Sequence, residues 1–347
     1  MRTHEIYMQR CIELASLGAG AVAPNPLVGA VLVYEDRIIG EGYHMQYGQA
    51  HAEVNCINAV VEEDKTLLSK ATLYVSLEPC AHFGKTPPCA DLIIAKKISR
   101  VVVGCRDPFA AVDGKGMEKL TAAGVEVIQP VLEVACKALN KRFFTFHVQQ
   151  RPYIILKWAQ TANGFIGKTD HSRLLVSNAF TNRLVHKWRS EETSILVGTR
   201  TALYDNPSLT NRLWTGNNPV RLVLDMDLRL PDSSQLFDGS VRTIVFNSQQ
   251  QKELGNILYY RLTKEESIVQ QVCKALYQLN IQSVLVEGGA RLLQSFIDEK
   301  KYDEARIITN TCLQTTDGIP APVTGNMLLQ DTVTLLTDAI HFYQPVL

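Results

Sequence analysis

The stretch HAEVNCINAVVEEDKTLLSKATLYVSLEPCAHFGKTPPC, residues 51–89, decides how the N-terminal half folds. His51 to Val61 has helical spacing, Thr72 to Leu77 is a short apolar strand, and Cys89 to Lys97 is helical again. The strand delivers Glu78-Pro79-Cys80 at its C-terminal end. His51, Cys80 and Cys89 therefore emerge at element ends. One imidazole and two thiols are three zinc-type ligands, and they leave the fourth corner of a tetrahedral zinc open to water. Glu53 cannot reach the metal from the helix edge that His51 uses, so it is free to move protons.

Outward from this core, Glu5 to Leu17 reads as an opening helix and Pro24-Asn25-Pro26 as a rigid loop. Val28 to Tyr34 and Arg37 to Gly42 form a hairpin around Glu35-Asp36. Downstream come a strand at Arg100 to Cys105, a helix at Gly116 to Ala123, a strand at Val125 to Ile128 and a helix at Glu133 to Phe144. Alternating strands and helices predict a mixed α/β layer. Cys80 and Cys89 flank a helix N-terminus, whose unpaired N–H groups favour thiolate over thiol.

The pattern resets near residues 146–151, which predicts domains at 1–147 and 148–347. The second half has strands at Tyr153 to Trp158, Ser194 to Val197, Val220 to Leu224, Thr243 to Phe246, Ser283 to Val286 and Glu304 to Thr309. Its helices fall at Phe180 to Glu191, Glu266 to Leu279 and Arg291 to Glu299. Lys157 lies inside an apolar strand and Glu287 ends another. Such charges are costly to bury unless they are paired, and strands that share one cleft would bring them together.

The chain has 347 residues, 46% of them hydrophobic and 20% charged, enough for two cores. A formal net charge of zero argues against broad nucleic-acid binding. No apolar run approaches the ~20 residues of a membrane span. The N-terminus lacks the apolar core of a signal peptide. The eight cysteines are scattered, as expected of thiols in a reducing cytoplasm.

Zinc held by imidazole and thiolates lowers the pKa of its water, and H-x-E followed by P-C and a second Cys is the pattern of zinc-dependent nucleobase deaminases. A closed structural site would need a fourth protein ligand, for which His44, His82 and Cys56 are nearby donors. Many such deaminases have two residues between the cysteines. Here eight intervene, and they carry His82, Lys85 and Thr86. A cation and a hydroxyl beside the metal suggest an anionic, phosphorylated substrate.

Taken together, Pro24-Asn25-Pro26-Leu27-Val28-Gly29, Gly42-Tyr43-His44, His51-Ala52-Glu53, Leu77-Glu78-Pro79-Cys80 and Gly84-Lys85-Thr86-Pro87-Pro88-Cys89 resemble the RibD family of riboflavin biosynthesis. The second half shares the resemblance through Leu156-Lys157-Trp158-Ala159-Gln160-Thr161-Ala162-Asn163-Gly164, Leu196-Val197-Gly198-Thr199-Arg200-Thr201, Asp205-Asn206-Pro207-Ser208-Leu209-Thr210 and Val286-Glu287-Gly288-Gly289. The resemblance implies a cytidine-deaminase-like three-layer α/β domain followed by a dihydrofolate-reductase-like α/β domain. The first would hydrolyse the 2-amino group of a phosphoribosylated diaminopyrimidine, and the second would use NADPH to reduce the ribose to a ribityl chain.

Residue by residue, it implies His51, Cys80 and Cys89 as zinc ligands and Glu53, Lys157 and Glu287 as catalytic groups. Ala159, Thr201, Asp205, Gly288, Gly289, Ala290 and Arg291 would meet NADPH. Asn25, Lys85, Arg189, Leu209, Arg212 and Glu287 would meet substrate, the arginines through its phosphate. A homo-oligomer, dimer or tetramer, is expected. The chain departs from the pattern at Asn163, where Asp is usual, at Arg173-Leu174-Leu175 in place of a Ser-x-Trp pair, and at Asn206. Two other readings stay open: a deaminase of nucleosides or nucleic acid, and an active deaminase fused to a reductase-like module of weak or lost activity.

Overall fold

In the computed structural model, residues 2–84, 87–170, 172–325 and 327–346 are described. They divide into two compact units, Met1–Gln149 and Gln150–Leu347. Among the described residues, no helix is long and apolar enough to cross a membrane.

The N-terminal unit runs α1 (Arg2–Ser16), β1 (Gly29–Tyr34), β2 (Arg37–Tyr43), α2 (Ala52–Asn58), β3 (Thr72–Leu77), α3 (Cys89–Ala95), β4 (Arg100–Cys105), α4 (Lys115–Ala122), β5 (Glu126–Ile128), α5 (Glu133–Leu139) and α6 (Lys141–Gln149). Its sheet has the order β2-β1-β3-β4-β5. β1 is antiparallel to β2 and β3, and β3, β4 and β5 are parallel. Side chains alternate across the pleat, so each strand feeds two cores. Ala30, Leu32, Leu73 and Val75 pack with Cys56, Ile93 and Leu120 of α2, α3 and α4. Val31, Val33, Tyr74 and Val102 face Met8 and Cys11 of α1 and Cys136 of α5. The result is a three-layer α/β/α unit in which the parallel strand β3 ends three residues before Cys80.

One expected helix is split. The segment from Glu133 to Phe144 breaks at Asn140, whose side chain leaves helical service to clamp the Pro24–Leu27 loop. Its Oδ1 accepts the Leu27 N–H and its Nδ2 donates to the Leu27 carbonyl, both at 2.8 Å. Asn side chains compete with helix geometry in this way.

The C-terminal unit runs β6 (Tyr153–Thr161), β7 (Phe165–Gly167), α7 (Ala179–Glu191), β8 (Ser194–Gly198), α8 (Thr199–Asp205), β9 (Val220–Leu224), β10 (Thr243–Asn247), β11 (Lys252–Leu254), β12 (Ile257–Arg261), α9 (Ile268–Gln278), β13 (Ser283–Gly288), α10 (Ala290–Asp298), β14 (Glu304–Asn310), β15 (Ile319–Pro320), β16 (Met327–Leu335) and β17 (Asp338–Pro345). Its large sheet has the order β11-β12-β10-β9-β8-β13-β6-β14-β17-β16. The seven central strands, β12 to β14 in that order, are parallel, and the flanking β11, β17 and β16 are antiparallel to their neighbours. Ile154, Leu156 and Val286 face α9 and α10, while Ile155, Leu285 and Ile308 face Val185 and Trp188 of α7.

Candidate active sites in the two units

In the N-terminal unit, His51 is the N-cap of α2. Its backbone is extended and its ring makes no cap hydrogen bond. Its Nδ1 lies 3.6 Å from Cys80 Sγ and 3.4 Å from Cys89 Sγ, and all three donor atoms fall within 4.8 Å of one another. Zn–N of about 2.0 Å and Zn–S of about 2.3 Å at tetrahedral angles require an N···S edge of about 3.5 Å. The triangle therefore fits zinc.

Backbone restraint holds it open. Cys89 is the first residue of α3, and its N–H donates to Cys80 Sγ at 3.3 Å. Hydrogen bonding from Cys89, then from His51, draws the Cys80 thiol well below its ordinary range, while Cys80 and burial push Cys89 up. A metal bound by two thiols this close beside an imidazole would displace their remaining protons to solvent.

Glu53 is 3% exposed. Burial, then the Cys80 charge, push its carboxyl up to about 7. Asn25 donates through Nδ2 to His44 Nε2 at 3.1 Å, and His44 Nδ1 donates to the Ala50 carbonyl at 3.0 Å. The His44 ring stands edge-on to His51, 5.3 Å between centroids. Lys85 and Thr86 lie outside the described residues.

Two groups here carried no role in the sequence. Glu78 is buried at the end of β3 and accepts four backbone N–H groups, from Asp107 (3.2 Å), Gly114 (3.0 Å), Gly116 (2.9 Å) and Met117 (3.4 Å). It fixes the Pro79-Cys80 turn against the start of α4. Any side chain on Gly116 would run into the Pro79 carbonyl. Asp107 is also buried, and burial raises its carboxyl to about 7. The signal for Glu78 was present in Glu-Pro-Cys, but only the fold shows what the carboxylate grips.

In the C-terminal unit, β6 and β13 are parallel neighbours with Leu156 opposite Val286. Lys157 and Glu287 follow that pair on one face, their side chains 13% and 7% exposed, with Nζ 3.8 Å from Oε2. Arg189 of α7 closes a fork on the same carboxylate, Nε to Oε1 at 2.9 Å and Nη2 to Oε2 at 2.6 Å. Burial alone would raise Glu287, but Arg189 and Lys157 outweigh it and hold the carboxyl down at about 2. Burial lowers Lys157, against the pull of Glu287.

A cleft of about 1460 Å³ opens beside this cluster. Its lining includes Glu287, Arg189, Thr201, Asp205, Leu209 and Arg212, together with Gly289, Ala290 and Arg291 at the start of α10. Among the described residues, Lys157, Ala159 and Gly288 lie outside that lining. A Cβ on Gly289 would stand 3.2 Å from Thr201 Oγ1, so the glycine keeps the turn close to α8. Backbone that bare, opening a helix N-terminus, suits the phosphates of a dinucleotide such as NADPH.

The departures noted in the sequence have local uses. Asn163 Oδ1 accepts from Thr161 Oγ1 at 2.8 Å and its Nδ2 donates to the Thr315 carbonyl at 2.7 Å. Asn206 ends α8 with a positive φ of 37°, and its Oδ1 accepts the Gln235 N–H at 2.8 Å. Arg173 and Leu174 line the cleft.

Both units are similar to known proteins. Residues 1–105 match the family model of the cytidine and deoxycytidylate deaminase zinc-binding region, and residues 152–313 match that of the RibD C-terminal domain. The riboflavin biosynthesis protein RibD of Aquifex aeolicus is 40% identical over 307 residues, 86% of this chain and 84% of that protein. The RibD of Bacillus amyloliquefaciens is 41% identical over 312 residues, 86% and 82% of the two chains. A crystal structure of a diaminohydroxyphosphoribosylaminopyrimidine deaminase/5-amino-6-(5-phosphoribosylamino)uracil reductase from Thermotoga maritima superposes with a TM-score of 0.89. It is 36% identical and covers 99% of each chain.

Proposed function

The chain belongs to the RibD family of riboflavin biosynthesis proteins, and on that premise we propose how its own residues perform the family's two steps. It is a bifunctional enzyme, a zinc-dependent deaminase joined to an NADPH-dependent reductase. The first step turns 2,5-diamino-6-(5-phosphoribosylamino)pyrimidin-4-one into 5-amino-6-(5-phosphoribosylamino)uracil, with water in and ammonia out. The second reduces the ribosyl chain to ribityl.

The observation that carries the first assignment is the His51–Cys80–Cys89 triangle with buried Glu53 two residues from His51. Zinc held there supplies a water acidified towards neutrality. With zinc bound there, Glu53 would take one proton from the water and pass it to a ring nitrogen, then take the second from the newly added hydroxyl and pass it to the departing amine, which leaves as ammonia. A carboxyl lifted to about 7 by burial is suited to both directions of transfer. Glu78 keeps Cys80 in place through its four backbone contacts, and Asn25, oriented by His44, meets the pyrimidine.

In the second step NADPH supplies the hydride. Lys157 and Glu287 face the substrate near the hydride path, with Glu287 a permanent anion held by Arg189. Arg189 serves substrate through this fork, and Arg212 is the arginine left to meet the phosphate. Gly289, Ala290 and Arg291 bind the cofactor's phosphates and Thr201 and Asp205 add contacts from the cleft wall, while Gly288 and Ala159, outside that lining, are assigned to the cofactor on their motifs alone. Leu209, 3% exposed and packed with Ile195, Val197 and Ala202, is assigned to substrate on its motif. Lys85 is assigned to substrate on its motif alone.

The scattered free cysteines and the use of NADPH support a cytoplasmic enzyme. The edge strand β16, exposed over most of its length, supports a homo-oligomer with a second copy of the chain, dimer or tetramer. Light scattering in solution tests that state.

Incubating the purified chain with the diaminopyrimidine ribotide, with and without NADPH, tests the function. Deaminated ribosyl product should accumulate alone and pass to the ribityl product when NADPH is added. Deamination without any ribityl product would reduce the C-terminal unit to a binding module.

A further inference from the structure

His186 is buried on α7, one turn before Arg189. Its Nδ1 accepts the backbone N–H of Arg212 at 2.9 Å. An accepting Nδ1 means a neutral ring with its proton on Nε2. Arg189 reaches the same loop, its Nη1 donating to the Thr210 carbonyl at 3.4 Å while its other nitrogens hold Glu287. Residues three apart share a helix face, so α7 grips the 207–212 segment at two points, one of them the backbone of Arg212 itself.

That segment belongs to neither a helix nor a strand, so no ladder sets its path. Its other restraints are the side chain of Leu209, 3% exposed and packed with Ile195, Val197 and Ala202 in the core, and polar contacts close by in the chain. Asn211 N–H donates to Asn218 Oδ1 at 2.8 Å, and the Arg212 guanidinium rests on the hydroxyls of Ser208 and Thr210. The polar contacts shape the loop, and Leu209 ties it to the core three residues before Arg212. The charged groups around the imidazole are Arg189, Arg212 and Glu287. Burial, with the two guanidinium groups, pushes its pKa down to about 4. The ring thus remains an acceptor at neutral pH.

We propose that His186 is a positioning residue of the reductase, its Nδ1 fixing the backbone of Arg212 and thereby the place where that guanidinium meets the substrate's phosphate. This rests on the reading of Arg212 as a substrate-binding residue. The imidazole's other polar partner, the Asn211 side chain, lies in the same segment, so both of its polar contacts act on the stretch that carries Arg212.

Steady-state reduction of 5-amino-6-(5-phosphoribosylamino)uracil at saturating NADPH tests it, using the full chain. His186→Leu removes the acceptor and should raise the substrate KM about tenfold with kcat changed far less. The KM for NADPH should hold. His186→Asn puts an amide oxygen near the lost Nδ1 and should recover most of the KM. His186→Gln, whose amide falls near Nε2, should not. The Asn and Gln pair keeps the test decisive if His186→Leu does not fold. Arg212→Ala should raise the same KM, and adding His186→Leu to it should cost little more. If Arg212→Ala leaves KM unchanged, the binding role of Arg212 is wrong. If Arg212→Ala raises KM while the Asn and Gln variants are indistinguishable, the positioning role of His186 is wrong.

Discussion

Two buried glutamates, one in each unit, are pushed in opposite directions. Glu53 has burial and a thiolate against its charge and rises to about 7. Glu287 is equally enclosed, yet Arg189 and Lys157 overcome the burial and hold it near 2. The difference separates the two carboxylates to which the proposed mechanism gives roles. One can hold or release a proton near neutral pH and suits a reaction made of proton transfers. The other never protonates in the working range. It can only orient its neighbours and accept hydrogen bonds, which is enough when a cofactor brings the hydride.

The sharpest way to break this contrast is to neutralise Glu53 while keeping its shape. Glu53→Gln should lower deamination kcat/KM by roughly 10²–10⁴, with zinc content unchanged by elemental analysis. Full activity would remove Glu53 from proton transfer. Stripping zinc with a chelator should abolish deamination and leave reduction of the deaminated substrate intact; reduction lost in parallel would mean that the metal supports both units.

Lys157→Ala should cost the reductase about 100-fold or more, the size seen when a group stabilising developing charge is removed, and spare deamination. Reduction at the wild-type rate would place the hydride path elsewhere.

A smaller effect belongs to Glu78. Glu78→Ala strands four backbone N–H groups, each worth up to about 1–3 kcal/mol when buried and unpaired, though relaxation and water will recover part. Loss of about 3 kcal/mol in urea unfolding, with weaker zinc retention, is expected, and unchanged stability would show that the Cys80 turn holds itself.

The least dramatic test is pH. The Glu287 pKa is depressed from 4.5 in the unfolded chain to about 2 in the folded one. Its stabilisation is therefore full above about pH 4.5 and is lost as pH falls towards 2, on the order of 3 kcal/mol. Denaturation of the C-terminal unit across that window should show the slope, and Glu287→Gln should flatten it. An unaltered slope in the variant would assign the titration to other carboxylates.

The same contrast explains what the sequence could reveal. The zinc site is local. His51, Glu53, Cys80 and Cys89 fall within 39 residues, and their spacing is the chemistry. The strands beside them, Thr72–Leu77 and Arg100–Cys105, have the bounds expected from apolar runs. The reductase cluster is assembled across distance: Arg189 and Glu287 are 98 residues apart. Lys157 and Glu287 were visible as charges in apolar strands, but nothing in the sequence says that Arg189 turns to Glu287, or that His186 holds Arg212. The helix broken at Asn140 was hidden for a related reason, since its partner is the backbone of Leu27, 113 residues away. The hairpin of β16 and β17 escaped notice because β16 is exposed on both faces and lacks the alternation that marks a half-buried strand.

The central claim is that one chain carries two independent sites, each built around its own buried glutamate. The most direct test assays both steps on Glu53→Gln and Lys157→Ala, supplying the diaminopyrimidine ribotide for deamination and the ready-made deaminated ribotide with NADPH for reduction. Each variant should lose one step and keep the other, and mixing the two should restore the complete conversion. If either variant loses both steps, or if the mixture stops at the deaminated intermediate, the two sites are not independent and the account fails.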